Sequence, residues 1–148
     1  MNSSHFEETQ LQPLATDADI LDRVRHVVGR ASSRQLWLLF LDDLDVQLPL
    51  LIPIEGLPAS PGGDETAEIL DRVREVMQQI DASSIIVVHE RYAGATLTPQ
   101  DAGWARSLRR GCDDRGVEIR GQLLSYRGGV RWIDSDEILG SDQPFAQG

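Results

Sequence analysis

The chain has 148 residues and a formal net charge of −10 at pH 7, with 14 basic residues against 24 acidic ones. That length suits a single domain with a real core, and the acidity argues against a nucleic-acid surface, which rests on clustered positive charge. No apolar run approaches the roughly 20 residues of a membrane span, Met1-Asn2-Ser3-Ser4 does not open a signal peptide, and a lone cysteine, Cys112, excludes an internal disulfide and fits a cytoplasmic protein.

Residues 1–15 are polar and aperiodic, which predicts a mobile tail. Thr16-Asp17-Ala18-Asp19 has the pattern of a capping box, and Ile20, Leu21, Val24, Val27 and Val28 come next at helical spacing. Arg34 to Leu41 reads as a buried strand, Asp42-Asp43-Leu44-Asp45 as a turn, and Val46 to Ile54 as a second strand that Pro49 and Pro53 confine to an edge. Leu57 to Gly63 is a loop. A second helix starts at Asp64, with Ile69, Leu70, Val73, Val76, Met77 and Ile80 on one stripe. Ser84 to His89 is apolar on both faces and so belongs inside a sheet. A third helix runs from Pro99 to Arg115, with Trp104, Leu108 and Cys112 on one face and Gly116 ending it. Val117 to Tyr126 and Val130 to Ile133 read as a hairpin over Arg127-Gly128-Gly129. One domain over 16–140 and a loose C-terminal tail over 141–148 complete the organisation.

Ala18-Asp19-Ile20-Leu21-Asp22-Arg23-Val24-Arg25 recurs almost unchanged as Ala67-Glu68-Ile69-Leu70-Asp71-Arg72-Val73-Arg74. The flanking segments do not repeat, which favours two helices under one packing demand over a duplicated domain. All 14 basic residues are arginine, which reads as the codon bias of a GC-rich bacterial genome.

The residues that carry chemistry cluster after the central strand. Ile85-Ile86-Val87-Val88 delivers His89 at a strand end, and Thr98-Pro99-Gln100-Asp101 opens the third helix. An imidazole and a carboxylate are two of the ligands of a zinc site, which needs three protein ligands and an open position for catalysis. Arg91 stands where a third ligand fits, and a guanidinium has no lone pair to give. Each residue also has a structural reading. A histidine at a strand end is commonly a hydrogen-bonded, half-buried imidazole. Thr98, Pro99 and Asp101 make a sound helix start, and Arg91 either pairs with Asp101 or Glu90 or stands in solvent. Cys112 reads as core filling. The acidic clusters Asp42-Asp43-x-Asp45 and Asp134-x-Asp136-Glu137 lack the loop of a calcium site and read as turns and caps.

Three stretches together resemble the JAB/MPN metalloprotease-like fold, most closely its RadC branch. They are Leu36-Trp37-Leu38-Leu39-Phe40-Leu41-Asp42, the segment from Val76 to His89, and Thr98 through the closing hairpin, covering roughly 34–134 in order. The resemblance implies an α/β (α+β) three-layer fold with a mixed central β-sheet flanked by helices. It implies a zinc held by two histidines and an aspartate, a serine supporting the oxyanion, and an upstream glutamate activating water. Here His89 and Asp101 match the first histidine and the aspartate, and Thr98 matches the serine. Arg91 replaces the second histidine, Tyr92-Ala93-Gly94 replaces Pro-Ser-Gly, and Leu50-Leu51-Ile52 lies where the glutamate belongs, with Glu55 out of register. The expectation is a non-catalytic domain that has lost its zinc-hydrolase site, holds no cofactor and binds another protein, with a homodimer open to it. The alternative is a metal-dependent hydrolase rebuilt around His89 and Asp101. A DNA-repair accessory role is disfavoured by the charge.

Overall fold

In the computed structural model, which describes residues 12–140, the elements run α1 (Asp17–Val27), β1 (Gln35–Leu41), β2 (Gln47–Glu55), α2 (Gly63–Ile80), β3 (Ser84–Glu90), α3 (Pro99–Arg115), β4 (Glu118–Tyr126), β5 (Gly129–Trp132) and α4 (Ser135–Gly140). The strands form one mixed sheet in the order β2-β1-β3-β4-β5. Only β3 and β4 pair in parallel, and the other neighbours are antiparallel. A parallel pair cannot be joined by a tight turn, so α3 crosses over from the end of β3 to the start of β4. That crossover puts the first turn of α3 beside the last residues of β3.

Period-two alternation sorts the sheet into two faces. Leu36, Leu38 and Phe40 of β1 with Ile85 and Val87 of β3 pack against Leu70, Val73 and Met77 of α2 and Trp104, Leu108 and Cys112 of α3. The intervening residues Leu39, Leu41, Ile86 and Val88 pack against Ile20 and Val24 of α1. The fold is thus the expected α+β arrangement, a mixed sheet between helices, with β3 buried along its whole length at the centre. No helix among the described residues is long and apolar enough to cross a membrane.

Several expected boundaries shift by a residue, as frayed ends do. Two differences are larger. Leu14, inside the expected N-terminal tail, is 4% exposed and packs in the α1-side core. Its amide donates to the Asp45 carbonyl (2.8 Å), so residues 12–15 join the domain. Secondly, α4 forms where only a turn was expected. The Asp134 amide donates to the Glu137 carboxylate (2.9 Å), and Arg131 grips the same carboxylate. The rest of both expected tails, 1–11 and 141–148, lies outside the described residues.

The edge assignment of β2 has a backbone reason. Ser83 N–H donates to Leu41 O, so the odd residues of β1 bond toward β3 and the even ones toward β2. Pro53, opposite Trp37, therefore occupies a position whose amide would point away from the sheet. An edge without that donor offers a poor template to another strand.

The repeated octapeptide opens into two helices that bury different residues. In α1, Ile20, Arg23 and Val24 are buried while Leu21 is half-buried. In α2, Leu70 and Val73 are buried while Ile69 is half-buried and Arg72 exposed. Arg23 reaches the Gln47 side-chain carbonyl at the sheet edge. The two copies serve different seats.

Within α3, Gly111 lets α2 approach closely: a Cβ there would overlap Leu70 Cδ1, whereas one at Gly103 would meet nothing nearer than Pro61 Cδ at 3.7 Å. Gly111→Ala is expected to destabilise by about 1–3 kcal/mol. Gly103→Ala in the same helix should stabilise by about 0.5–1 kcal/mol through helix propensity. Urea denaturation of the two variants decides the matter, because equal gains at both positions would mean that the α2–α3 contact is slack.

Candidate functional site

β3 ends in two buried polar residues that alternation sends to opposite faces. Glu90 turns toward the α1 side, and its carboxylate accepts from Ser32 N (2.7 Å), Ser33 N (3.1 Å), Gln35 Nε2 (2.8 Å) and Trp37 Nε1 (2.8 Å). Burial pushes its pKa up, but the hydrogen bonds from Ser32, Trp37, Gln35 and Ser33 outweigh that and hold it below the ordinary 4.5. Four donors converging on one anion fasten the loop before β1 to the sheet. The pairing of Arg91 with Glu90, one of the options open from sequence, is not realised for this reason.

His89 turns toward α2 and α3 and is 5% exposed. Its Nε2 lies 2.6 Å from Gln122 Oε1, and Gln122 Nε2 donates to Ala105 O at 2.9 Å. Only the amide nitrogen of Gln122 can donate to a carbonyl, so its oxygen faces the ring and His89 Nε2 carries the proton. Burial pushes the imidazole pKa below 6.5, ahead of the opposing hydrogen bond from Gln122 and charge of Asp101, so the ring is neutral at pH 7.

Arg91 comes next, on the loop that leads to α3. Its Nε donates to Asp101 Oδ2 (2.5 Å), Nη1 to Gly94 O (2.9 Å) and Nη2 to Thr96 O (2.5 Å). Both side chains of the ion pair are largely buried, at 12% and 15% exposure. Asp101 Oδ2 also accepts from Thr98 N (3.0 Å), and Thr98 Oγ1 accepts from Asp101 N (3.1 Å). The helix start expected from Thr98, Pro99 and Asp101 is present, and it takes the form of a full capping box. It employs the threonine hydroxyl and the aspartate carboxylate at once.

His89, Arg91 and Asp101 line one cleft with Arg34, Leu57 and Trp104, and its free volume is about 40 Å³. Arg34 Nη1 and Nη2 donate to Leu57 O (2.7 Å) and Pro58 O (3.0 Å), and Trp104 Nε1 donates to Pro58 O (3.0 Å), strapping the β2–α2 loop across it. Such a space admits a few waters; small-molecule sites measure roughly 300–1,000 Å³. No family model matches the chain, and no curated protein matches it. The chemistry open to the cleft is set by its own atoms.

The zinc that the resemblance implies does not fit these atoms. The Asp101 carboxylate holds a guanidinium, the Glu90 carboxylate is turned to the other face of the sheet, and His89, with Nε2 given to Gln122 and Nδ1 left to coordinate, is a single ligand. Among the described residues no three His, Cys, Asp or Glu side chains converge as a ligand set. Glu55, the nearest sequence candidate for a base, lies at the same end of the sheet but is exposed. Alternation places it on the face opposite Ile52 and Ile54, which share the His89 side. Cys112 is fully buried, and burial pushes its thiol up to about 11, as core filling requires.

Sequence reasoning found three of the residues that line this cleft, His89, Arg91 and Asp101, and missed Gln122, Arg34 and Trp104 as its supports. Gln122 stands in a strand that also carries Glu118, Arg120 and Ser125, so its polarity does not set it apart. Arg34 and Trp104 left no signal either, because what they hold is backbone carbonyls.

Glu90→Gln turns an amide NH₂ toward two N–H donors whichever way it flips, and should cost roughly 2–3 kcal/mol at pH 7. Because the folded pKa of Glu90 lies below 4.5, its contribution is present above that pH and lost as the pH falls through the folded value. His89 adds an earlier loss below 6.5, where the unfolded state takes up a proton that the folded state refuses. Denaturation across pH 3–8 should show wild type losing stability in both windows and Glu90→Gln losing the lower component; an unchanged profile would mean that Glu90 is solvated.

Proposed function

We propose that this chain is a non-catalytic JAB/MPN-like domain of the RadC-like type, in which an arginine has taken the place of the metal and whose role is to bind another protein. The observation that carries this reading is the Arg91–Asp101 pair. A planar guanidinium matches a carboxylate better than an ammonium does, and here its remaining nitrogens bind Gly94 O and Thr96 O. One side chain thus supplies the positive charge, neutralises the aspartate and fixes the loop between β3 and α3. Cation binding at the same place is opposed by repulsion from the resident charge and by the engagement of the Asp101 carboxylate with Arg91.

A cleft of about 40 Å³ has no room for a peptide, which supports binding through the outer surface over turnover in an interior. Cytoplasmic residence belongs to the same proposal, with the single cysteine serving as core.

Two measurements test the reading. Elemental analysis of the wild-type chain, purified without chelators, is expected to give far less than one zinc per chain; about one equivalent, lost on His89→Ala, would sink the proposal. In a zinc titration, Arg91→His should bind at least about tenfold more tightly than wild type, because it frees Asp101 and adds an imidazole. It should still hydrolyse no peptide, since Leu50-Leu51-Ile52 stands where the activating glutamate belongs and Glu55 is exposed on the opposite face of the sheet. If Arg91→His gains no affinity, His89 and Asp101 do not form the two halves of a former site.

A further inference from the structure

Two large apolar side chains stand exposed among the described residues, Leu44 at 69% and Tyr92 at 64%. They lie at opposite ends of the sheet. Leu44 is in the turn between β1 and β2, at the end where β3 begins, since Leu41 pairs with Ser84. Tyr92 lies just past the other end of β3, where Glu90 pairs with Gln35 and Ser125. At the strand rise, seven residues separate the two ends by about 20 Å, so the side chains cannot meet within one molecule.

The charge around each is opposite. Tyr92 lies under Arg127, whose Cζ is 5.8 Å from the ring centroid. Arg30 is exposed at the same end, because Ala31 N donates to Tyr126 O (3.0 Å) and ties that loop to the strand end. The acidic groups nearest in sequence are already engaged: Glu90 is buried under its four donors and Asp101 holds Arg91. Glu55, Asp64 and Glu65 are exposed at the same end but on its β2 side, with β1 between Glu55 and β3. Leu44 is flanked by Asp42, Asp43 and Asp45, and the same end of the molecule presents Asp81 at the end of α2, Asp113 and Asp114 at the end of α3, and Glu118 at the start of β4. Of the arginines at that end, Arg115 is taken by Asp71 (2.8 Å) and Arg120 by Asp17 (2.8 Å).

The Tyr92 end is also stiff. Arg91 fastens Gly94 O and Thr96 O, Arg127 N donates to Ala93 O (2.8 Å), and Arg131 Nη2 donates to Ala95 O (2.8 Å). A preorganised Tyr–Arg pair is the kind of surface that anchors a protein partner, since little entropy is lost on contact.

We infer that the Tyr92–Arg127–Arg30 end of one molecule docks on the Leu44 turn of a second copy, head to tail. The charges are complementary, each surface contributes one exposed apolar side chain, and both are carried by the same chain. A contact between different surfaces of identical molecules does not close by itself, so the association is open-ended. Both copies carry the net charge of −10, so a contact that brings the acidic ends of two copies together meets like charge. The inference stands independently of the reading of the His89 cleft.

Analytical ultracentrifugation of the full chain at low ionic strength should show an average mass rising with concentration above 16.4 kDa, and falling back in about 1 M salt, where the screening length is about 3 Å. Tyr92→Ala/Arg127→Glu removes one surface and Leu44→Ser/Asp43→Arg the other; all four positions are exposed, and thermal melts check that both variants fold. Each variant alone should associate at least about tenfold more weakly than wild type. An equimolar mixture retains one intact copy of each surface and should form a species of twice the chain mass and nothing larger. A wild type that stays monomeric at every concentration overturns the proposal, as does a variant that dimerises alone, which indicates a two-fold interface elsewhere. Retention of an unrelated acidic protein by a monomeric wild type, lost on Tyr92→Ala/Arg127→Glu, overturns it in favour of that partner.

Discussion

Glu90 is a carboxylate buried at the end of the central strand with no cation beside it, and the organisation of that end of the molecule depends on how it is satisfied. Four N–H groups from the loop before β1 and from β1 itself converge on it. Leaving such an anion unpaired would cost several kcal/mol, so the loop has one acceptable course. That course brings Arg34 to the β2–α2 loop and Arg30 to the end of β4. Arg91, directly after Glu90 in the chain, is then free to engage Asp101. The polar residues that look like catalytic remnants are thus parts of a framework that fixes three loops around one strand end.

Elements set by periodicity were legible in the chain. The stripe of α2, the fully apolar β3, and the helix starts at Thr16 and Thr98 each obey local rules, and the structure has them within a residue or so. The edge position of β2 was legible through Pro53, whose missing amide has a definite direction once the pairing of β1 is known. Less was visible where the partner is backbone. Nothing about Arg34, Arg131 or Trp104 announces that each donates to a carbonyl in a distant loop. Leu14 looked like part of a polar tail because a single apolar residue has no period, and its burial is decided by the turn at Asp45.

The same division runs through the cleft. His89, Arg91, Thr98 and Asp101 could be picked out by residue type and spacing, and the Arg91–Asp101 pairing results from the crossover that sets the start of α3 beside the end of β3. Gln122 could not, because its significance lies in two registers at once: it reaches His89 on the neighbouring strand and Ala105 on the helix above. It also fixes which imidazole nitrogen carries the proton. A chemical property of the site therefore resides in a residue that no motif contains.

The two copies of the octapeptide bear on how the chain finds this fold. Either segment, taken alone, can present Ile, Leu and Val to an apolar sheet face, and the buried sets in α1 and α2 show that one sequence suits two different seats. Local preference therefore cannot assign each helix to its side of the sheet. What surrounds the repeat makes the distinction: Val76, Met77 and Ile80 extend α2 beyond the length of α1, and Arg23 finds Gln47 of β2 while its counterpart Arg72 stands exposed. Until those contacts form, the two helices are interchangeable, a degeneracy of the folding landscape that opens a misdocked intermediate to this chain.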